Sequence, residues 1–143
     1  MRRLLYFTLS LIMITSCTLD SSDNGALDGY WQLSSIDTLA NGHSVNMRDS
    51  GIFWAVQKDL LVARTTKEPL LEVIFRFKHT SDSLILSKPH LAFRDSSDII
   101  VTDASVLYRL GVTDLQEHYA VSELSSSRMV LRNNDLQLLF RKY

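Results

Sequence analysis

The chain has 143 residues, a formal net charge of −1 and a hydrophobic fraction of 45%. This length suits a single domain with one core, and the near-neutral charge, which includes no basic block, argues against nucleic acid as a partner. Cys17 is the only cysteine, so an internal disulfide is excluded and no thiolate metal site is expected.

The N-terminal segment resembles a bacterial lipoprotein signal. Arg2 and Arg3 precede the apolar run 4–14, which has the length of a signal-peptide core and is too short to span a bilayer as a helix. The sequence Ile14-Thr15-Ser16-Cys17 follows and matches the lipobox, in which the cysteine thiol accepts the lipid. An ordinary secretory signal that is cut nearby is the alternative.

This resemblance predicts how the chain is divided and where it resides. Residues 1–16 are the predicted signal peptide, Cys17 carries palmitate-type acyl chains, and the polar segment 17–26 is a flexible tether to a domain over residues 27–143. Two or more acyl chains hold a protein durably on a membrane. We therefore expect an outer-membrane lipoprotein of the bacterial cell envelope.

From Gly29 onward, short β-rich runs alternate with turn residues, which predicts an all-β sandwich or barrel. The predicted strands are 30–36, 52–56, 60–65, 71–79, 84–86, 99–102, 117–124, 128–131 and 136–141, with a hairpin turn at 57–59. In the clearest strand, Val73, Phe75 and Phe77 are predicted to point inward and the charged residues between them outward. Charges on that outer face could not lie against lipid, so we expect a water-facing sheet.

Two segments raise specific expectations. Proline cannot sit in a central strand, so Lys88-Pro89-His90 is predicted to end the strand that begins at residue 84. The segment 103–112 is either a strand or a short helix; as a helix, it would be capped by Asp103, would end before Gly111 and would present Val106, Leu107 and Leu110. We favour the helix.

The start of the first strand, Gly29-Tyr30-Trp31, resembles the glycine-any-tryptophan signature of lipocalins and the wider calycin barrels. In that family a basic residue of the last strand covers the tryptophan ring, and Arg141 stands in the matching place. The C-terminal runs 119–121, 129–131 and 138–140 also resemble lipocalin-like lipoproteins of Bacteroidota. The resemblance implies a single up-and-down antiparallel β-barrel of about eight strands, with at most one short helix, closed at its base by Trp31 and Arg141.

We find no pattern that indicates catalysis, a cofactor or a metal. The histidines His43, His79, His90 and His118 are widely separated, and no serine occupies a nucleophile motif. The acidic run 95–98 with Asp103 lacks the glycine and the final glutamate of a calcium loop, which favours a polar turn. We therefore expect a protein that is not an enzyme.

Aromatic residues on the predicted inward faces are the candidate ligand-binding residues: Trp54, Phe75, Phe77 and Tyr119, with His79 as the polar member. Either these rings fill the interior, which is narrow in an eight-stranded barrel, or they line an open pocket.

The leading hypothesis is a lipid-anchored, non-catalytic protein that binds a small apolar or amphipathic molecule in a cavity of at least about 300 Å³ inside the barrel. The alternative is a solid barrel that docks onto an envelope protein complex through an exposed apolar patch of several hundred Å².

Overall fold

The computed structural model describes residues 24–92 and 99–143. The signal peptide, Cys17, most of the tether and the acidic run 95–98 lie outside the described residues. Within those two ranges, no helix combines the length and apolar character needed to cross a membrane.

The described chain is all-β, as the sequence predicts. Its strands are β1 (Gly29–Thr38), β2 (Ser44–Asn46), β3 (Ile52–Gln57), β4 (Leu60–Thr65), β5 (Glu72–His79), β6 (Ser83–Leu91), β7 (Ile99–Ile100), β8 (Glu117–Leu124), β9 (Arg128–Arg132) and β10 (Leu136–Lys142). β4 and β8 have the predicted bounds, and most other strands differ from the prediction by one to three residues.

Eight strands close into an antiparallel barrel in the order β1-β3-β4-β5-β6-β8-β9-β10, and β10 pairs back with β1. This arrangement confirms the predicted single up-and-down barrel. Two short strands lie outside the ring. β2 pairs with β1 at Ser35–Asp37, beyond the stretch Gly29–Gln32 that pairs with β3, and β7 pairs with the end of β6. The sequence analysis missed β2, a short and polar strand.

The prediction that Pro89 ends its strand is wrong, because β6 continues through it to Leu91. Ile74 of β5 pairs with His90, whereas Arg76 pairs with Ser87, so the register shifts at this point. Pro89 therefore lies in a β-bulge, where an extra residue has no partner in the ladder and a missing N–H group costs no ladder hydrogen bond.

The two ends of the barrel are closed by different elements. The chain enters at one end through the 3-10 turn Gly25–Leu27, and Asn24 Nδ2 donates a hydrogen bond of 2.7 Å to the carbonyl of Lys58 in the β3–β4 turn. We call this the tether end; residues 24–26, which the sequence places in the tether, belong to this turn. The opposite end, the lidded end, is covered by a 3-10 helix, Ala104–Leu110.

The lid confirms the predicted short helix and its caps. The Asp103 carboxylate accepts a hydrogen bond of 2.9 Å from the backbone N–H of Ser105, and this bond lowers the pKa of Asp103. Gly111 ends the helix at φ +84°, a left-handed conformation that favours glycine. Leu107 and Leu110, on the inner side of the lid, are buried, whereas Val106 lies on its exposed side. Only two of the three predicted core contacts therefore form.

Alternation along the strands creates the core. In β4, for example, Leu61, Ala63 and Thr65 are buried, and the residues between them are partly exposed. The largest fully buried side chains are Trp31, Trp54, Tyr119, Phe75 and Phe140. An eight-stranded barrel is only just wide enough for side chains to fill, and these rings occupy much of that space.

Candidate functional site

Aromatic rings fill the middle of the barrel. The ring centroid of Trp54 lies 4.7 Å from that of Phe140 and 6.0 Å from that of Tyr119. Trp54 and Phe75 are 0% exposed and Tyr119 is 1% exposed. Water has no access to these three predicted ligand-binding residues, so they line no open cavity, and a ligand would contact them only if neighbouring side chains moved.

Two of these rings also hold the lid. Trp54 Nε1 donates a hydrogen bond of 3.0 Å to the carbonyl of Leu110, and the Tyr119 hydroxyl donates one of 2.8 Å to the carbonyl of Gly111. Burial, with the nearby charge of Glu117 as a second cause, raises the pKa of Tyr119 well above its ordinary value. The phenol therefore remains a neutral donor, and the polar atoms of Trp54 and Tyr119 are both used in closing the lidded end.

Phe77 and His79 lie at the tether end and are less covered. β4 begins at Leu60, which pairs with Arg76, so the last residues of β5 extend past the end of β4. Phe77 and His79 continue the inward row of Phe75, and both are partly exposed. The structure thus separates the five predicted residues into three in the closed interior and two at a partly open end.

His79 is the polar group of this end. Its Nε2 atom is buried and has no hydrogen-bond partner among the described residues. Desolvation by burial lowers the pKa of His79, which favours the neutral imidazole. A neutral imidazole nitrogen can accept or donate one hydrogen bond, depending on its tautomer. The tether end therefore combines an apolar surface with one unpaired polar atom.

The base of the barrel is closed by Trp31 and Lys142, not by Trp31 and Arg141. Lys142 is the direct partner of Trp31 across the β1–β10 ladder, and its Nζ lies 4.7 Å from the ring centroid. Nζ also donates a hydrogen bond of 3.0 Å to the carbonyl of Ala26. Successive strand residues face opposite sides, and Phe140 points inward, so Arg141 points outward and the predicted pair is wrong by one residue.

A second concave surface lies beside the lid. It is a groove of about 450 Å³ lined by Arg64, Thr65, Thr66, Leu70, Leu71, Glu72, Leu91 and Ala92. Leu70, in the β4–β5 connection, is 64% exposed. A single leucine in a connection has no periodicity, so no local pattern predicts this groove.

The other three histidines lie away from the tether end. His43 and His118 are exposed, and His90 lies in the bulged part of β6. Across residues 24–92 and 99–143, no three histidine, cysteine, aspartate or glutamate side chains come close enough to hold a metal ion.

The closed antiparallel ring, the glycine-any-tryptophan start of β1 and the lysine of the last strand over that tryptophan define a small calycin-like barrel protein. A family model described as a lipocalin-like domain matches residues 11–143, and the chain belongs to this family. The fold is consistent with binding a small ligand.

Two solved structures are similar in fold. A lipocalin-like protein from Bacteroides uniformis is 21% identical with a TM-score of 0.64, and the match covers 83% of this chain and all of the other. An uncharacterized protein from Bacteroides eggerthii is 23% identical with a TM-score of 0.60, and the match covers 81% and 98% of the two chains. No curated protein matches the chain.

Proposed function

We propose that this protein is a lipid-anchored, non-catalytic binding protein of the bacterial cell envelope, and that a small amphipathic molecule binds at the tether end of its barrel. The observation that carries the proposal is the buried, unpaired Nε2 of His79 beside Phe77. A buried polar atom without a partner is costly, and a ligand hydroxyl or carboxyl group would satisfy it once the side chains that cover it move aside.

The surroundings of His79 suit the apolar part of such a ligand. Val121 and Leu124, in the half of β8 that runs towards the tether end, are partly buried and pack against the core, as does Phe77. Ligand sites are typically apolar surfaces with a few placed polar groups. The filled interior above this level limits the ligand to the end of the barrel, so we expect shallow binding rather than the deep cavity first predicted.

The anchor would place this end towards the lipid. The chain enters the barrel through Gly25–Leu27, at the same end as His79. Cys17 precedes that turn by only a few residues, so an acylated Cys17 would keep the tether end near the membrane surface. An amphipathic molecule could then pass between the lipid and the barrel without crossing open water.

Native mass spectrometry tests the ligand. The full chain, purified from the bacterium that makes it, should carry a bound amphipathic molecule. His79→Leu should lower its occupancy, because the polar partner is lost while the apolar surface remains. His43→Leu, at an exposed histidine of the β1–β2 connection, is the matched control. A chain without a bound molecule, or equal occupancy in wild type and His79→Leu, would contradict the proposal.

The anchor is tested separately by growth with a fatty-acid analogue that can be tagged. We expect the wild-type chain to take up the label and Cys17→Ser to lose it. An unlabelled wild-type chain would contradict lipid anchoring.

A second candidate function, an accessory subunit of an envelope protein complex, is favoured by the lidded end. Seven large hydrophobic side chains are exposed in the described part of the chain, and five of them lie at or beside the lid: Leu70, Ile99, Ile100, Val106 and Tyr108. Apolar side chains collected on one surface mark protein contact sites.

Photocrosslinking in cells separates the two candidates. A photoreactive amino acid in place of Tyr108 should crosslink to one defined protein if the lidded end docks onto an envelope complex. The same photoreactive amino acid in place of Tyr143, which is exposed at the tether end, is the control. Capture of that protein from neither position, or equally from both, would count against docking through the lid.

A further inference from the structure

We infer that a groove on the outer wall of the barrel binds a phosphate group through Arg48, Arg128 and Arg141. This site lies on the outer wall, whereas His79 belongs to the inward row of β5, so the inference goes beyond the proposed function and does not depend on it.

The groove is large and rich in hydrogen-bond donors. Its volume is about 690 Å³, and it is lined by Ser34, Ser35, Ser44, Asn46, Arg48, Ser127, Arg128, Leu139, Phe140 and Arg141. Three of these ten residues are arginines and none is acidic. In a chain whose net charge is −1, this is a local concentration of positive charge, which favours an anionic ligand.

An irregularity in β1 creates the groove. The register between β1 and β10 shifts between Leu33 and Ser35, so Ser34 has no partner in β10. The carbonyl of Ser34 instead accepts a hydrogen bond of 2.8 Å from the backbone N–H of Met47. This bond draws the connection after β2 against the wall, and Arg48, the next residue, comes to line the same groove as Arg141.

A buried glutamine positions two of the arginines. Gln32 is 6% exposed, and its Oε1 accepts a hydrogen bond of 2.5 Å from Arg141 Nε. Its Nε2 donates one of 2.8 Å to the backbone carbonyl of Arg48. Gln32 is neutral, so it fixes the Arg141 side chain and the backbone at Arg48 without cancelling their charge, and part of the cost of ordering the site is met by the fold.

The guanidinium groups of Arg48 and Arg141 still have N–H donors available for a ligand. Arg48 makes no side-chain hydrogen bond or ion pair with the described residues, and Arg141 uses only Nε, which leaves its two terminal nitrogens. Arg128 is 3.3 Å from Glu123 in an exposed ion pair, so part of its charge is already compensated. Arg48 and Arg141 are therefore the principal positive groups, and Arg128 lies at the rim.

A phosphate monoester fits these donors best. Guanidinium groups bind phosphate oxygens in a planar, paired geometry, and two of them lining one groove suit a dianion with several oxygens. The hydroxyl groups of Ser34, Ser35 and Ser127 add short donors for the remaining oxygens, whereas that of Ser44 already donates to the Asp37 carboxylate at 2.6 Å. The phosphate could belong to a soluble ester or to the headgroup of a lipid.

Side-chain NMR of the full chain in detergent micelles distinguishes these sources. The soluble probe is glucose 1-phosphate with glucose as its control, and the lipid probe is phosphatidic acid in the micelle with phosphatidylcholine as its control. The Nε–H signals of Arg48 and Arg141 should shift and saturate with a phosphate-bearing probe and stay in place with its control. A response to glucose 1-phosphate alone supports a soluble ester, and a response to phosphatidic acid alone supports a headgroup.

Variants decide whether the groove itself binds. Arg48→Gln and Arg141→Gln should each weaken the affinity about tenfold, as expected for a lost charge-assisted hydrogen bond. Arg132→Gln, at an exposed arginine of β9 outside the groove, should change it less than about twofold, because it removes the same charge without a contact.

Gln32→Met tests the positioning role, since it keeps the volume but removes both hydrogen bonds. We expect weaker binding even though all three arginines remain, with an unchanged circular dichroism spectrum. The inference is overturned if no phosphate probe shifts the two signals, or if Arg132→Gln weakens binding as much as Arg48→Gln does.

Discussion

Trp31 and Trp54 are direct partners in the β1–β3 ladder, yet their indole N–H groups form hydrogen bonds at opposite ends of the barrel. Trp31 Nε1 donates to the carbonyl of Leu27 in the turn at the tether end (2.8 Å), whereas Trp54 Nε1 donates to the carbonyl of Leu110 in the lid (3.0 Å). Both closures are thus attached to one pair of adjacent residues, and a disturbance of this pair would loosen both ends.

Tyr119→Phe should loosen the lid with little change in packing, because only the hydroxyl group is lost. The carbonyl of Gly111 would lose its buried donor, at a cost of about 1–3 kcal/mol in the free energy of unfolding. Hydrogen exchange at the amides of residues 104–112 should become faster. Tyr108→Phe, on the exposed face of the lid, should leave both measurements unchanged; an equal effect there would contradict this role of Tyr119.

Lys142→Met should lower the free energy of unfolding by about 0.5–2 kcal/mol, because the cation over the Trp31 ring is lost. Arg141→Met should also destabilise the protein, because the buried Gln32 Oε1 loses its donor on the outer wall, but it should leave the Trp31 ring unaffected. Urea denaturation measures both losses, and the NMR signal of the Trp31 indole N–H should shift only in Lys142→Met. A shift of that signal in Arg141→Met alone would restore the closure predicted from sequence.

His79 should make stability depend on pH below its ordinary pKa. Burial lowers the pKa of His79 from 6.5, so between the lowered value and 6.5 the unfolded chain binds more protons than the folded chain. The contribution of His79 is therefore fully present above pH 6.5 and falls as the pH drops through this window. Denaturation at a series of pH values should show a shallower decline in His79→Leu and the wild-type decline in His43→Leu.

Gly111→Ala should destabilise the protein more than Gly42→Ala. Both glycines have positive φ, +84° and +70°, where a side chain costs about 1–2 kcal/mol. A Cβ at Gly111 would also lie 3.2 Å from Leu138 Cδ1, whereas nothing lies within 4 Å of one at Gly42. Thermal denaturation of the two variants isolates this packing contribution, and equal losses would mean that the lid tolerates the methyl group.

Local patterns were sufficient to predict the strands and the inward rows. β4, β5 and β8 were predicted from β-rich runs bounded by turn residues. In β5 alternation also predicted the inward row, because a sheet with one wet face imposes a period of two on the sequence. The lid was predicted from Asp103 and Gly111, whose capping roles depend on neighbouring residues alone. The bulge at Pro89 was not predictable, since it depends on how β5 pairs with β6 and not on the residues of β6.

The candidate site was predictable only in part. The sequence identified which rings point inward, but whether they leave a cavity depends on the lid and on how neighbouring volumes meet. Arg141 was assigned to the wrong face because the strand register, accurate to one residue, is needed to choose between it and Lys142. The contact between Gln32 and Arg141 joins residues 109 positions apart, and no local motif marks such a pair.

The pairing of the first barrel strand with the last has a consequence for synthesis. Gln137, which donates a hydrogen bond to Asp37 across this seam, follows it by 100 residues, so the ring can close only after β10 has been synthesised. Contacts of such long range slow folding. A chain that stops before β10 would keep β1 and β9 as bare strand edges, and unpaired edges of this kind recruit other chains into aggregates.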